Sequence, residues 1–255
     1  MSTPPGVLYL VPNTLDFGTG ASAGPIEDVL PAAVLRTAAR LTHWVAENAK
    51  TTRAFLKRVD AVVPLAQPLR ALAIVELPRP AKGAHAAVAA DLGALLDPAR
   101  GGHDIGLISE AGLPAVADPG AALVRAAHAA GIVVITLAGP SALMLALAAS
   151  GLNGQSFAFV GYLPVDASAR AVRIRELEAL SRRTGQTQLM IETPYRNEAL
   201  LGALLAHLQP GTRLSVSCGL TLPTGFTRTD EVRGWNARPI TLPGDVPTVF
   251  SLLAG

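Results

Sequence analysis

Residues 106–120 carry the pattern that most limits how this chain can fold. An apolar run, Gly106-Leu-Ile-Ser109, empties into Glu110-Ala-Gly-Leu-Pro-Ala-Val-Ala-Asp-Pro-Gly120. Leu123, Val124 and Ala127 then fall on one helical stripe, ended by Gly131. Glycine lets a backbone approach a ligand closely, and proline stiffens the turn. Asp118-Pro119 reads as a helix cap followed by a first-turn proline, so the helix is expected to open at Pro119. The unit recurs at once, as strand Val133–Leu137, Ala138-Gly-Pro-Ser-Ala142 and an apolar helix. Strand–loop–helix units in series predict a parallel sheet, and open sheets of that kind bind small molecules at the carboxyl ends of their strands.

The rest of the first half extends the alternation. Strands are predicted at Val7–Val11, Trp44–Glu47, Ala73–Leu77 and Asp104–Ser109, and helices at Pro31–Thr42, Lys50–Val59 and Ala84–Leu96. In Lys50–Val59, Phe55 and Leu56 fall on the inward side, and Lys50, Arg53, Lys57 and Arg58 on the outward side. With Val133–Leu137 this makes a mainly parallel five-stranded sheet with helices on both faces. After Ser150-Gly-Leu-Asn-Gly154 the pattern restarts. Strands are expected at Phe157–Gly161, Gln188–Glu192, Arg213–Cys218 and Val246–Leu253, and helices at Ala169–Arg183 and Asn197–Leu208. Phe226–Val232 alternates apolar and polar residues as an antiparallel ribbon does. The fold class is therefore α/β in two domains, 1–153 and 154–255, the second with a mixed sheet.

Composition narrows the function classes. Half the residues are hydrophobic and 16% are charged, which excludes a disordered chain. A net charge of +2 makes no strong case for a nucleic-acid partner by itself. The lone Cys218 rules out an internal disulfide and a cysteine metal cluster, the five histidines show no metal-ligand spacing, and no metal is expected. Gly131–Leu152 is uncharged and long enough to cross a bilayer, but Gly139-Pro-Ser141 splits it into a β-branched half and an Ala/Leu/Met half. That is a buried strand followed by a buried helix, so no membrane partner is expected. Without a basic, then apolar leader pattern at the start, a cytoplasmic protein is expected.

Familiar nucleotide signatures are missing. Gly18-Thr-Gly-Ala-Ser-Ala-Gly24 follows the first strand, but its spacing is GxGxxxG and Pro25 interrupts it. There is no GxxxxGK[ST], and no GxSxG on a strand–turn–helix. The loops suit a neutral or cationic, partly apolar ligand. Gly112, Leu113, Pro114 and Val116 present backbone and aliphatic surface, and Ser141 and Ala142 offer small groups at a helix start. Periodicity alone leaves a plainer reading open, two well-capped helix starts in a core sheet.

Taken in order, the segments resemble the tetrapyrrole methylase superfamily of S-adenosylmethionine-dependent methyltransferases. The nearest branch is the enzymes that methylate a cytidine ribose 2′-hydroxyl of 16S rRNA, or an offshoot of it. The family pattern SDAGTPxxSDPG is similar to Ser109–Gly120, PGPSA to Gly139-Pro-Ser-Ala142, FxGFLP to Phe159-Val-Gly-Tyr-Leu-Pro164, and YESPHR to Ile191-Glu-Thr-Pro-Tyr-Arg196. Departures also stand out. VxTPIGNLxD becomes Val11-Pro-Asn-Thr-Leu-Asp16, EDTRxT becomes Glu47-Asn-Ala-Lys-Thr-Thr52, and RELTK becomes Gly219-Leu-Thr-Leu-Pro223. Leu113 stands where an Asp is common elsewhere in the superfamily.

The resemblance implies S-adenosyl-L-methionine as cofactor, in a cleft between the domains, an RNA substrate and a homodimer. Carried over by position, the cofactor residues are Thr14, Leu15, Gly112, Leu113, Val116, Ser141 and Ala142, with Ile191, Cys218 and Pro247 from the second domain. A ribose hydroxyl must lose a proton on methylation, and the carboxylates in reach of the loops are Glu47, Glu110, Asp118 and Glu192. Glu47 and Glu110 lie at loop mouths, Asp118 is expected to cap a helix, and Glu192 has Arg196 as an alternative partner. Lys50, Arg53, Lys57 and Arg58 are either phosphate contacts or a solvated helix face, and Tyr195 either stacks on a base or sits on a rim. The competing classes are a methylase of a tetrapyrrole or other small acceptor, a catalytically silent homologue, and, more remotely, a nicotinamide oxidoreductase.

Overall fold

A computed structural model describes residues 4–16, 24–78 and 92–255. The chain divides into two compact units, Met1–Pro140 and Ser141–Gly255. In the first, strands β1 (Leu8–Leu10), β2 (His43–Ala46), β3 (Ala73–Glu76), β4 (Ile105–Ile108) and β5 (Val134–Thr136) form one sheet in the order β3-β2-β4-β1-β5. Every pairing is parallel, with Leu8 opposite both Ile105 and Val134. The central strand β4 is buried along its whole length, as expected of a continuous apolar run in a sheet covered on both faces.

Helices α1 (Ala32–Arg40) and α2 (Ala49–Asp60) cover one face. Their core is Val34, Leu35, Phe55, Leu56 and Val59 around Trp44, whose ring meets Phe55 edge-on with centroids 6.4 Å apart. The other face is filled by Leu8, Leu107, Leu123 and Ala127, the last two from α4 (Ala121–Ala129). A five-residue 3₁₀ turn, Leu92–Leu96, and the short α3 (Asp97–Arg100) lead into β4. Most of the helix predicted over Ala84–Leu96 lies outside the described residues, as does the Gly-rich segment 17–23.

Two expectations are corrected here. Helix α4 begins at Ala121, its N-cap is Gly120, and no side chain caps it. Asp118 is therefore not the cap: the glycine takes a φ of +131°, and the chain spends two more residues turning before the helix can start. Arg58 does not point outward to solvent either, because an acid on the first loop draws it in.

The second unit opens with α5 (Ala142–Ser150), which lies on a mixed sheet. Its strands are β6 (Phe157–Tyr162), β7 (Thr187–Ile191), β8 (Arg213–Cys218), β9 (Phe226–Glu231) and β10 (Thr248–Leu253), ordered β6-β7-β10-β8-β9. Only β6 and β7 are parallel; β7–β10, β10–β8 and β8–β9 are antiparallel. The compact units part before residue 153, because Leu143, Ala146 and Leu147 of α5 pack on Leu189 and Val249 of this second sheet. The opposite face is covered by α6 (Ala167–Thr184), α7 (Asn197–His207) and α8 (Val232–Ala237). Trp235 anchors it, its indole N–H donating to Leu214 O at 2.9 Å and Arg228 stacking 4.0 Å over the ring. Gly131–Leu152 divides into β5 and α5, but the strand is not buried as expected, because β5 lies at the sheet edge with Ile135 and Thr136 exposed, and α5 buries one side only. No helix among the described residues is long and apolar enough to cross a membrane.

Candidate functional site

The order of the first sheet locates its crevice. From β1 the chain crosses to β2 on one side of the sheet, and from β4 it crosses to β5 on the other, yet β1 and β4 are neighbours. Ligands of open α/β sheets bind outside the carboxyl ends of strands at such a switch point. The loops leaving β1 and β4 are joined there by a backbone bridge. Asn13 N–H donates to Gly112 O at 2.9 Å and Gly112 N–H to Thr14 O at 3.3 Å. The buried Asn13 side chain adds a second tie, its amide donating to Ser109 O at 3.2 Å and Glu110 O at 2.9 Å, while its oxygen accepts from Thr14 N–H.

The loop after β5 completes the edge. A Cβ at Gly112 would stand 3.2 Å from Leu15 Cδ2 and 3.4 Å from Pro140 O, and the residue holds a φ of +64° that disfavours any side chain. Thr14, Leu15 and Gly112, drawn from two separate loops, thus meet, with Pro140 of a third against them. Ala115 and Ala117 are also left-handed, at φ of +66° and +63°, unusual for residues bearing a Cβ and a cost of about 1 kcal/mol each. Leu113 is half-buried and Val116 exposed on this constrained turn.

Arg58 fixes the first loop from α2. One guanidinium nitrogen donates to Asp16 at 2.9 Å and Thr14 Oγ1 at 3.2 Å, and the other to Gly24 O at 3.2 Å. Thr14 Oγ1 in turn donates to Asp16 at 2.8 Å. Asp16 is only 7% exposed, so removing its cation leaves a charge in a poorly hydrated place. Arg58→Ala is expected to destabilise the protein by about 2–3 kcal/mol, with Arg58→Lys recovering part of it; urea titration of the three proteins checks this.

Three carboxylates gather at the same edge. Glu47, leaving β2, accepts the Glu110 N–H at 2.9 Å. Asp118 lies within electrostatic reach of both, and burial, reinforced by the negative charges of Glu47 and then Glu110, pushes its carboxyl up to about 7. An acid in this state exchanges its proton near neutrality. Beside them Ser109 Oγ is buried with no hydrogen-bond partner among the described residues.

In the second unit, Ile191 ends β7 opposite Val249, Cys218 ends β8 opposite Thr248, and Pro247 O accepts the Gly219 N–H at 3.0 Å. Ile191, Cys218 and Pro247 therefore share one edge of that sheet. Ser141 is the N-cap of α5, but its hydroxyl makes no capping bond, so both it and Ala142 are small, half-buried groups at a helix start. Glu192 pairs with Arg196 at 3.0 Å, the alternative open in the sequence, which makes it a structural ion pair. Tyr195 is exposed.

Asn13 and Asp16 are not among the site residues that the sequence indicates, and Arg58 is there only as a phosphate contact or part of a solvated helix face. Asp16 and Arg58 lie 42 positions apart, and no local pattern links them. Asn13 offered the one usable signal, an amide directly after the buried first strand, where a loop must satisfy its neighbours' backbone groups.

Comparison with known proteins agrees with this architecture. The chain matches the Tetrapyrrole (Corrin/Porphyrin) Methylases over residues 30–230. It is 38% identical to the ribosomal RNA small subunit methyltransferase I of Mesorhizobium japonicum over 134 residues, 52% of this chain and 44% of that protein. It is 32% identical to the protein of the same name from Halalkalibacterium halodurans over 203 residues, 80% of this chain and 61% of that one. The alignments thus span about half of these relatives' length. Among solved structures, the methyltransferase CobJ superposes over 100% of this chain and 95% of its own with a TM-score of 0.54 at 18% identity, a likeness of fold. With a family match covering most of its length and a switch-point edge built from the segments that carry the motifs, the chain belongs to the tetrapyrrole (corrin/porphyrin) methylase family.

Proposed function

We propose that this protein is an S-adenosylmethionine-dependent methyltransferase acting on RNA, with a ribose 2′-hydroxyl of small-subunit ribosomal RNA as the acceptor. The observation that carries the reading is the gathering of Asp118, Glu47 and Glu110 at the carboxyl edge of the first sheet, with Asp118 poised near neutrality. A hydroxyl acceptor needs a group to take its proton, whereas many nitrogen and carbon acceptors do not, so the edge favours oxygen methylation. The similarity to ribosomal RNA small subunit methyltransferase I proteins supports the substrate class.

The residues present fit the cofactor. Gly112 leaves room where a Cβ would crowd Leu15 and Pro140, Ser109 Oγ is buried with no hydrogen-bond partner among the described residues, and the acidic edge of Glu47, Glu110 and Asp118 suits a sulfonium cation. When bound, the cofactor supplies an electrophilic methyl group. Thr14, Leu15, Gly112, Leu113 and Val116 hold it through backbone and aliphatic contacts, and Ser141, Ala142, Ile191, Cys218 and Pro247 keep the assignment that the family resemblance gives them. Asp118 accepts the proton of the acceptor hydroxyl, while burial, and then Glu47 and Glu110, keep its affinity for that proton high. The low-charge α5 surface, where Met144 and Leu145 are exposed, supports a homodimer, and a ribosomal substrate supports the cytoplasm as its place of action.

The test is transfer of a tritiated methyl group from S-adenosylmethionine to small ribosomal subunits lacking the modification, followed by nucleoside mass spectrometry. Label in a 2′-O-methylated nucleoside is the expected result. Calorimetry with S-adenosylmethionine and S-adenosylhomocysteine accompanies it: if neither binds at high micromolar concentration, the methyltransferase reading is lost.

A further inference from the structure

Helix α2 starts at the candidate site, since Asn48, the residue after Glu47, caps it by accepting the N–H of Lys50 at 2.9 Å and of Thr51 at 3.4 Å. Its inner face, Thr52, Phe55, Leu56 and Val59, is buried. The opposite face carries Lys50, Arg53 and Lys57, all exposed. At 100° per residue these three lie within one narrow stripe, and 1.5 Å of rise per residue spreads them over about 10 Å.

Their partners set them apart from the other basic groups nearby. Arg58, one residue on, is turned inward to Asp16, and Arg40 is paired with Asp104. Among the described residues, Lys50, Arg53 and Lys57 have no carboxylate partner; Arg53 reaches only the carbonyl of Ala49 in its own helix. Four described acids lie near this helix, and none is ion-paired to the stripe: Asp16 pairs with Arg58, and Glu47 accepts the Glu110 N–H. Glu76 accepts the Ala49 N–H at 2.7 Å, and Asp60, at the far end, accepts the Leu65 N–H at 2.9 Å. The stripe is therefore a line of exposed positive charge with no ion pair among the described residues, and it begins three residues from Glu47. A methylase edge that is itself acidic repels phosphate, so an RNA acceptor has to be held by a cation source adjoining the edge.

We propose that Lys50, Arg53 and Lys57 form a phosphate track that grips the RNA backbone beside the candidate site. The proposal rests on the RNA reading above and specifies how that substrate is engaged. It commits to nucleic acid over an acidic protein because three evenly reached point charges on a rigid rod suit a regular polyanion. These contacts position the substrate and carry no sequence information.

The experiment compares the wild type with the triple variant K50A/R53A/K57A and with the control R175A/R183A, which removes two exposed arginines from α6. A fluorescent single-stranded RNA oligonucleotide is titrated by anisotropy across a salt series, and S-adenosylhomocysteine binding is measured by calorimetry. The expected result is RNA affinity at least tenfold weaker in the triple variant, with the slope of log K against log salt reduced by about 2, at roughly 0.7 per lost phosphate contact. S-adenosylhomocysteine affinity and the control variant's RNA affinity are expected to stay within about twofold of wild type. An unchanged slope in the triple variant, an equal loss in the control, or equal competition by poly-glutamate overturns the track. Absence of methyl transfer to ribosomal subunits by a wild type that still binds RNA through this stripe would instead strike the catalytic reading alone.

Discussion

Asp118→Asn is expected to lower kcat for methyl transfer by about 10²–10⁴-fold while making the protein more stable at neutral pH. The two effects share one cause. In the wild type, burial and then the charges of Glu47 and Glu110 hold the Asp118 carboxyl near 7, against an ordinary carboxylate value of 3.8. The folded protein therefore keeps a proton on this group that the unfolded chain has already released. Stability from this source is present in full below the unfolded value and is lost as pH rises through about 7. The amide carries no charge to desolvate, so the variant gains about 1–2 kcal/mol at pH 8 after allowance for solvent screening, and nothing at pH 3. In the wild type, log kcat/KM for an RNA acceptor should climb with pH and level off above about 7. Glu47→Gln should move that limb to lower pH, because one repelling charge has gone. Stopped assays from pH 5.5 to 9 with parallel thermal melts supply both readouts. A variant that keeps half the wild-type rate removes Asp118 from the chemistry.

Gly139→Ala is expected to cost more in affinity for S-adenosylmethionine than any single change in the loop side chains. A Cβ at this position would lie 2.2 Å from Pro12 Cβ and 2.4 Å from its Cγ, distances that real atoms do not keep. Pro12 cannot rotate away, since its ring is locked to the backbone. The loop after β1 or the loop after β5 must move bodily, and both carry or adjoin the proposed contacts. Overpacking of this kind costs about 1–3 kcal/mol, a fall in Tm of roughly 2–10 °C for a chain of this size. Displacement of the loops should raise the Kd for S-adenosylmethionine by more than about tenfold. Gly154→Ala is the matched control, because nothing lies within 4 Å of a Cβ there. Calorimetry and differential scanning of the two variants decide the matter: equal affinity in both would mean the loop after β5 plays no part in binding.

What the sequence made legible follows from how local each feature is. The parallel sheet could be read because its strands are short apolar runs between glycine- and proline-rich loops, and β4, buried throughout, is the clearest of them. The mixed second sheet was legible through Phe226–Glu231, whose alternation requires one solvated side and an antiparallel neighbour. Helix starts were less secure. Asp118-Pro119 satisfies the local chemistry of a cap, but two left-handed alanines and Gly120 carry the chain further before α4 begins. The raised proton affinity of Asp118 is not legible locally either, since it comes from burial and then from Glu47, which arrives from a different strand. Arg58 was misplaced for a similar reason. Its helical phase puts it on the flank of α2, and only the partner Asp16 across the fold turns it inward. Periodicity states which side of a helix is apolar and is silent about which cation finds an acid.

The bridge between Asn13 and Gly112 has an evolutionary corollary. Two turns that are remote in the gene are coupled through residue identity, because the Asn13 amide satisfies the Ser109 and Glu110 carbonyls and Leu15 packs where a Cβ at Gly112 would stand. Drift in either is filtered through its counterpart, so a substitution tolerated in one background is harmful in another. Lineages that retune this edge for a new acceptor must therefore change both turns together, and the pair should diversify in jumps and not by gradual single steps.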